Sequence, residues 1–280
     1  MSNLRNQVTV VTGCSSGIGR ALTGELQRQG HRVFATARRK EALADLAATG
    51  VETASLDVND PSSIQAAVDA IIDKAGRIDV LINNAGTNAF GPLLEQPLGD
   101  LRAVLETNVL GMVAMSQAVF PHMAEQKQGR LINIGSVAGL LPTPFAGGYC
   151  ASKSAVHMIS EVMRMEVAPF GIDVILVQPG RVKSNIAVNG SRDIERYRAP
   201  SSRYRNAYDG IVKRANTSQD NPMLTEDFAR ELVAQAFVTP PPRLIRLGAG
   251  ADELPKLAEL PGEQRDQVMA TTYGLDALKG

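Results

Sequence analysis

The sequence predicts an α/β fold: a single domain built on a doubly wound, seven-stranded parallel sheet. Three observations predict it. Short runs rich in Val, Ile and Leu recur along the chain, longer helical stretches separate them, and the first run leads straight into a glycine-rich turn. The expected strands are Val8–Thr12, Arg32–Thr36, Val51–Leu56, Asp79–Ile82, Gly129–Ile134, Ile172–Val177 and Leu244–Leu247. Helices are expected near Gly17–Gly30, Glu41–Thr49, Ser62–Ala75, Gly99–Gln126, Gly148–Ala168 and Thr225–Val238. After Gly180 the rhythm breaks. An insertion over about residues 182–222 precedes the last helix and strand, and an extension over about 251–280 closes the single domain, which occupies residues 1–280.

Composition narrows the function before any motif is read. Hydrophobic residues make up 44% and charged residues 21% of 280, with 29 basic side chains against 29 acidic ones, so disorder is excluded and a nucleic-acid-binding surface is disfavoured. Two cysteines, Cys14 and Cys150, and no signal-peptide pattern ahead of Val8 fit a reduced, cytoplasmic enzyme; both read as small buried side chains. The histidines His31, His122 and His157 form no cluster with cysteine, so no metal site is expected. Thr107 to Ala124 carries no charge, but Asn108, Gly111, Ser116, Gln117, Pro121 and His122 within it indicate a buried core helix, and no membrane span is expected.

The turn after the first strand reads Thr12-Gly13-Cys14-Ser15-Ser16-Gly17-Ile18-Gly19. Glycines there permit a tight turn and let a pyrophosphate approach the N–H groups that open the first helix. The spacing departs from the usual six-residue dinucleotide fingerprint, so a plain glycine turn is the competing reading. Further on, Tyr149 and Lys153 are four residues apart, on one face of a helix. Alone that spacing is cheap, but it has company. Ser136 ends the fifth strand, Asn108 lies in the charge-free helix, and Asn83-Asn84-Ala85-Gly86 ends the fourth strand. All fall at the carboxyl edge of the proposed sheet, where open α/β folds bind ligands.

In this order and spacing, T-G-x-x-x-G-I-G, N-N-A-G, N, S, Y-x-x-x-K and P-G resemble the short-chain dehydrogenase/reductase family from Val8 to about Ser184. The first turn, the Val33–Arg39 run and the long C-terminal region are most similar to the branch containing hydroxysteroid dehydrogenases and acyl-dihydroxyacetone-phosphate reductases. The resemblance implies a Rossmann fold and an oxidoreductase that interconverts a carbonyl and a secondary alcohol. It implies Tyr149 as general acid/base, Lys153 as the cation that lowers its pKa and holds the nicotinamide ribose, Ser136 as the group orienting the substrate oxygen, and Asn108 as anchor of a relay water. A cation about 4 Å from a phenol, in an effective dielectric of about 20, is worth about 4 kcal/mol, enough to draw a pKa near 10 towards neutrality.

The same resemblance implies a cofactor bed of Gly13, Ser15, Ser16, Gly17, Ile18 and Gly19, then Asp57 and Val58, Asn84, Ala85 and Gly86, Tyr149 and Lys153, and finally Pro179, Gly180, Val182 and Ser184. Ser184 stands where the family usually has threonine. Asp57 also reads as a turn residue ahead of Pro61. At the end of the second strand Ala37 occupies the position of the carboxylate that binds a ribose 2′-OH in NAD enzymes, and Arg38 and Arg39 follow, which favours NADP(H). The bland alternative is a solvated helix start, although cations are disfavoured at that end of a helix.

Leu140–Phe145 is expected to wall a substrate pocket for a ketone or alcohol with hydrocarbon bulk. Residues Ser191–Arg205 carry Arg192, Arg196, Arg198, Arg203 and Arg205 against Asp193 and Glu195, a net charge of +3. They are expected either to form a mobile lid that receives an anionic substrate or to be a solvated helix. The family implies a homodimer or homotetramer. Two other functions compete with this reading: a non-catalytic dinucleotide-binding sensor, disfavoured because all four catalytic candidates are present, and a sugar-nucleotide epimerase, disfavoured by the glycine spacing.

Overall fold

The computed structural model describes residues 6–184, 191 and 193–279. Seven strands form one parallel sheet in the order β3-β2-β1-β4-β5-β6-β7. They are β1 (Val8–Val11), β2 (Arg32–Ala37), β3 (Glu52–Ser55), β4 (Val80–Asn83), β5 (Gly129–Ile134), β6 (Ile172–Pro179) and β7 (Leu244–Leu247). The central strands are buried on both faces, which is why they read as apolar runs rather than as alternation. On one face Val11, Ile132 and Ile175 pack with Leu22 and Leu26 of α1 (Gly17–Arg28) and with Phe228 and Leu232 of a late helix, Thr225–Ala236. On the other, Val10, Leu81 and Leu131 meet Ile64, Val68 and Ile71 of α3 (Pro61–Ala75) and Met115, Val119 and Met123 of α5 (Gly111–Gln126).

Local chemistry sets the helix ends. In α3, Pro61 opens the first turn, the Asp60 carboxylate accepts the Ser62 N–H at 2.9 Å, and Gly76 closes in the left-handed conformation. The helix expected at Glu41–Thr49 is shorter. A 3₁₀ turn, Lys40–Leu43, enters without a side-chain cap, and only α2 (Ala44–Ala48) is α-helical. The helix expected as Gly99–Gln126 divides into α4 (Leu98–Leu105), a π-turn at Glu106–Leu110 whose signature is the Gly111 N–H bonded to the Glu106 carbonyl, and α5. By length and apolarity Leu98–Gln126 could cross a bilayer; it packs here against α3, α6 (Gly147–Val167) and the sheet, which accounts for its apolar face.

The insertion and the C-terminal extension build a third core above the sheet's carboxyl edge. Ile194 and Tyr197 from a 3₁₀ segment, and Tyr208 and Ile211 of α7 (Tyr208–Asn216), are buried with Met269 and Tyr273, which come from the chain after α8 (Thr225–Ala236) and α9 (Glu253–Ala258). Met269 lies in α10 (Gly262–Thr272). Of the insertion's described arginines, Arg196 meets Asp193 and Asp100, and Arg198 pairs with Glu195 and stacks on Tyr208, while the backbone N–H of Arg203 donates to Glu95. Arg192 lies outside the described residues, as do 185–190 of the expected lid.

Two polar devices position the site. Sheet order reverses between β1 and β4, and there the Thr12 hydroxyl accepts the backbone N–H groups of Asn84 and Ala85, each at 2.9 Å, while Asn84 Nδ2 donates to the Thr12 carbonyl at 2.8 Å. Behind β5, His157 Nε2 accepts the Ser136 N–H at 3.4 Å, its Nδ1 lies 3.4 Å from the Gln178 amide, and Arg246 donates to Gln178 Oε1 at 2.9 Å.

Thr12→Val keeps the shape of the buried side chain but strands two N–H groups, at about 1–3 kcal/mol each before relaxation. Urea unfolding should show a clearly lower midpoint at unchanged m-value; an unchanged midpoint would dismiss the tie as structural support. Burial and the nearby Lys153 push His157 down from 6.5 to about 4. The unfolded chain therefore takes up a proton that the folded one refuses between pH 6.5 and 4, and stability falls as pH falls through that window, by up to about 3 kcal/mol. In His157→Gln the stability–pH slope between pH 6.5 and 4 should flatten. An identical slope in both proteins counts against the assignment.

Candidate active site

A cavity of about 800 Å³ opens along the carboxyl edge of the sheet, under the third core. Its floor begins with the turn after β1. Gly13 has φ +72, and a side chain there would start 2.9 Å from the Ala85 Cα, so the turn and the chain after β4 pass backbone to backbone. A Cβ on Gly19 would sit 2.4 Å from Asn84 Nδ2, so this glycine serves the packing of α1 on the β4 turn. Helix α1 then points its N-terminus into the cavity without an acidic residue in its first turn, leaving its N–H groups to an anion.

The cavity brings together most of the residues singled out from sequence. Gly13, Ser15, Ser16, Gly17, Ile18, Arg38, Asp57, Val58, Asn84, Ala85, Gly86, Ser136, Tyr149, Lys153, Pro179, Gly180, Val182 and Ser184 all line it. Three do not: Gly19 is buried in packing, Arg39 is exposed at the entrance to the Lys40–Leu43 turn, and Asn108 lies beneath the wall. Asp57 does both things expected of it, lining the cavity and accepting the Asn59 N–H at 3.0 Å in a turn. Arg38 is exposed and has no carboxylate within ion-pair distance among the described residues. Of the expected apolar wall, Leu141 and Thr143 face the cavity, whereas Phe145 is buried in the third core.

The reacting wall is carried by α6 and the end of β5. The π-turn widens its helix by one residue and carries Asn108, whose Oδ1 accepts the Thr87 N–H at 2.8 Å and whose Nδ2 donates to the Thr87 carbonyl and to Ser152 Oγ, each at 2.9 Å. Ser152 Oγ in turn donates to the Tyr149 carbonyl at 2.8 Å. Asn108 thus clamps the loop after β4 to the first turn of α6, where Tyr149 sits. Ser136 caps the short turn after β5, accepting the Ala138 N–H at 3.1 Å, and its hydroxyl stands beside the Tyr149 phenol.

Burial dominates the electrostatics of this wall. Burial pushes the Tyr149 phenol above its ordinary value, against opposing pulls from the Ser136 hydroxyl and the positive charge of Arg214. The Lys153 ammonium is 5.7 Å from the Tyr149 ring centre, donates to the Ile134 carbonyl at 2.7 Å, and is itself pushed down to about 8 by burial. Here burial outweighs the pulls that lower the phenol's pKa, among them the charge of Arg214. Sequence reasoning missed Arg214, Thr12 as a tie, and the lining contributed by Leu254, Leu257, Met269 and Tyr273. Thr12 was visible inside the glycine motif; the others follow no motif. Cys14, buried with its thiol pushed up to about 11, and buried Cys150 are packing residues.

Known proteins are similar to this chain in sequence and in fold. The short chain dehydrogenase family model matches residues 7–195. A 3-ketodihydrosphingosine reductase of Bacteroides thetaiotaomicron is 38% identical over 186 residues, 66% of this chain and 68% of its own length. Human dehydrogenase/reductase SDR family member 7 is 36% identical over 66% of this chain and 58% of its own length. A short-chain dehydrogenase from Streptomyces avermitilis superposes with a TM-score of 0.78 at 31% identity, covering 98% of this chain and 97% of its own. Two more solved relatives hold cofactor: a Burkholderia phymatum protein with NAD (TM-score 0.72, 30% identity, 84% of this chain and 88% of its own) and a Burkholderia cenocepacia protein with NADP (0.73, 26%, 97% and 99%). Fold, cavity and sequence agree that the chain belongs to the short-chain dehydrogenase/reductase family, oxidoreductases that act with a nicotinamide dinucleotide.

Proposed function

We propose that this protein is an NADP(H)-dependent reductase that converts the carbonyl of a partly hydrophobic small molecule to a secondary alcohol. The observation that carries this reading is that Tyr149, Ser136 and Lys153 share one cavity wall facing the glycine turn of α1. The residues present fit the cofactor: a turn that admits close backbone approach, a helix N-terminus free of acid, and an unpaired guanidinium at the end of β2. Gly13, Ser16, Gly17 and Ile18 would hold its pyrophosphate, and Arg38 with Ser15 its 2′-phosphate, since Ala37 offers no carboxylate to a ribose. When bound, the nicotinamide supplies the hydride.

The chain's own residues manage the proton. A phenol held above its ordinary value is protonated at neutral pH, the state that donates to a carbonyl oxygen. Ser136 Oγ stands beside that phenol and can donate to the same oxygen, orienting it. Lys153, fixed by the Ile134 carbonyl, sets a positive charge at the base of the wall, where a ribose hydroxyl can accept from it. Leu141 and Met269, both buried, exclude water from the other side. The exposed apolar residues Leu105, Leu110, Met158 and Met165 on the long helices support a homodimer or homotetramer, and the buried free thiols support a reducing, cytoplasmic setting.

Tyr149→Phe removes the proton donor and keeps the ring, so NADPH should still bind while kcat falls by ~10²–10⁴. A variant retaining more than about a tenth of wild-type turnover rules out this acid. Lys153→Ala should lower kcat and weaken NADPH binding together. The ratio of kcat/KM for NADPH over NADH should be at least about tenfold, because charge-assisted bonds from a guanidinium to phosphate contribute roughly 1.5–3 kcal/mol each. Ala37→Asp with Arg38→Ala should reverse the ratio, and a wild-type preference for NADH overturns the NADP assignment.

A further inference from the structure

Besides Lys153, whose ammonium donates to the Ile134 carbonyl, Arg214 is the one cationic side chain in the cavity wall that is both buried and without a charged partner among the described residues. It is 9% exposed, lies on α7, and lines the cavity with Tyr149. Its guanidinium lies over the ring of Phe90, 5.4 Å from the centroid, and its Nε has no acceptor. Asp57 and Asp220 also line the cavity, but neither comes within ion-pair distance of it. Residues 185–190 and 192, outside the described set, contain no acidic side chain. The other described arginines of the insertion differ: Arg196 and Arg198 meet carboxylates of their own, and none of them lines the cavity.

A buried guanidinium with no counter-ion is costly, and stacking on an aromatic ring offsets only part of that cost. Such a group is retained where an anion arrives from solvent. The cofactor's phosphates have their own bed in the α1 turn and at Arg38. Phe90, by contrast, belongs to the third core with Leu141 and Tyr208, on the roof side of the cavity. There Leu254, Leu257 and Met269 supply apolar lining. Arg214 also acts on the Tyr149 phenol through space, which puts it within electrostatic reach of the proton-donating group.

We propose that Arg214 is the substrate's anion receptor: the substrate bears a carboxylate or phosphate that pairs with this guanidinium across a hydrocarbon stretch from the carbonyl held by Ser136 and Tyr149. The proposal deepens the reductase reading and rests on it for the placement of the carbonyl. A guanidinium meets either anion with two parallel charge-assisted bonds, so the substrate's charged end and not its apolar body sets specificity. An amine-bearing ketone of equal length is repelled.

The test has a binding arm and a turnover arm. In the first, octanoate, octyl phosphate and octanamide are titrated calorimetrically into the NADPH-saturated protein. At least one anion should bind tenfold or more tightly than the amide, and Arg214→Met should bring the two within about threefold, with Arg214→Lys between. Equal affinities for anions and amide in the wild type overturn the proposal, as does a preference that survives Arg214→Met. In the second arm, oxo acids of five to nine carbons, their methyl esters, and phosphate- and amine-bearing ketones of matched length are reduced with NADPH. The best anionic series should exceed its ester tenfold or more in kcat/KM, lose that advantage in Arg214→Met chiefly through KM, and identify carboxylate or phosphate as the natural group. Anion-selective binding without turnover of any ketone would uphold Arg214 and sink the reductase reading instead, whereas ketone turnover that ignores charge would do the reverse.

Discussion

Everything at this site hangs on the place where the sheet changes direction. Strand order runs outward from β1 to β3 on one side and from β4 to β7 on the other, so the turns after β1 and β4 diverge and leave a crevice between them. A crevice between diverging chains would be soft. It is held because one threonine hydroxyl, 1% exposed, accepts two backbone N–H groups from the opposite turn, while Asn84 returns a bond to the Thr12 carbonyl. Glycine at positions 13 and 19 lets the two turns come close enough for those bonds. The position of the α1 N-terminus is therefore a product of hydrogen bonding across the switch, and the helix dipole acts from a fixed place.

A second set of buried polar groups fixes the reacting wall to that crevice. Asn83 and Asn133 are neighbours in register on β4 and β5; Asn83 Nδ2 donates to Asn133 Oδ1 at 2.9 Å and to Ser116 Oγ at 3.0 Å, and Asn133 Nδ2 donates to Ser160 Oγ at 2.9 Å. The network thus ties two strands to α5 and α6 from below, while Asn108, Thr87 and Ser152 tie them from above. Polar groups this deep are costly unless satisfied, and satisfied they admit one arrangement. The π-turn belongs to the same logic. It interrupts an otherwise regular helix at the residue whose amide must reach two other elements.

How much of this could be read in the sequence depends on how local the signal is. The seven strands were legible because a parallel sheet buried on both faces needs unbroken apolar runs, and the glycine turn, Ser136 and the Tyr149–Lys153 pair because each is a short pattern at a strand end or on one helix face. The Lys40–Leu43 turn and the π-turn were not legible, since both are departures from a helical period that tertiary bonds impose. The roof was legible only as an insertion and a C-terminal extension. Its arginines looked like a single charged lid, but pairing with Asp193, Glu195 and Asp100 removes Arg196 and Arg198 from play, and the residue left facing the cavity, Arg214, stands outside that run in a helix with no motif of its own.

The balance of charge around Tyr149 adds burial to what spacing alone conveys. A cation four residues away on a helix was expected to draw the phenol down, yet Lys153 directs its ammonium to the Ile134 carbonyl and is itself weakened by burial, its pKa pushed down to about 8. Two desolvated groups share one wall, and burial penalises the charged form of each: it keeps the phenol protonated and loosens the ammonium's hold on its proton. Arg214 escapes that compromise because a guanidinium keeps its charge when buried. Positive charge therefore flanks the phenol from the roof, at Arg214, as well as from its own helix, at Lys153. Since the roof is built from the insertion and the C-terminal extension, the segment that helps to wall the cavity also brings a positive charge towards the phenol.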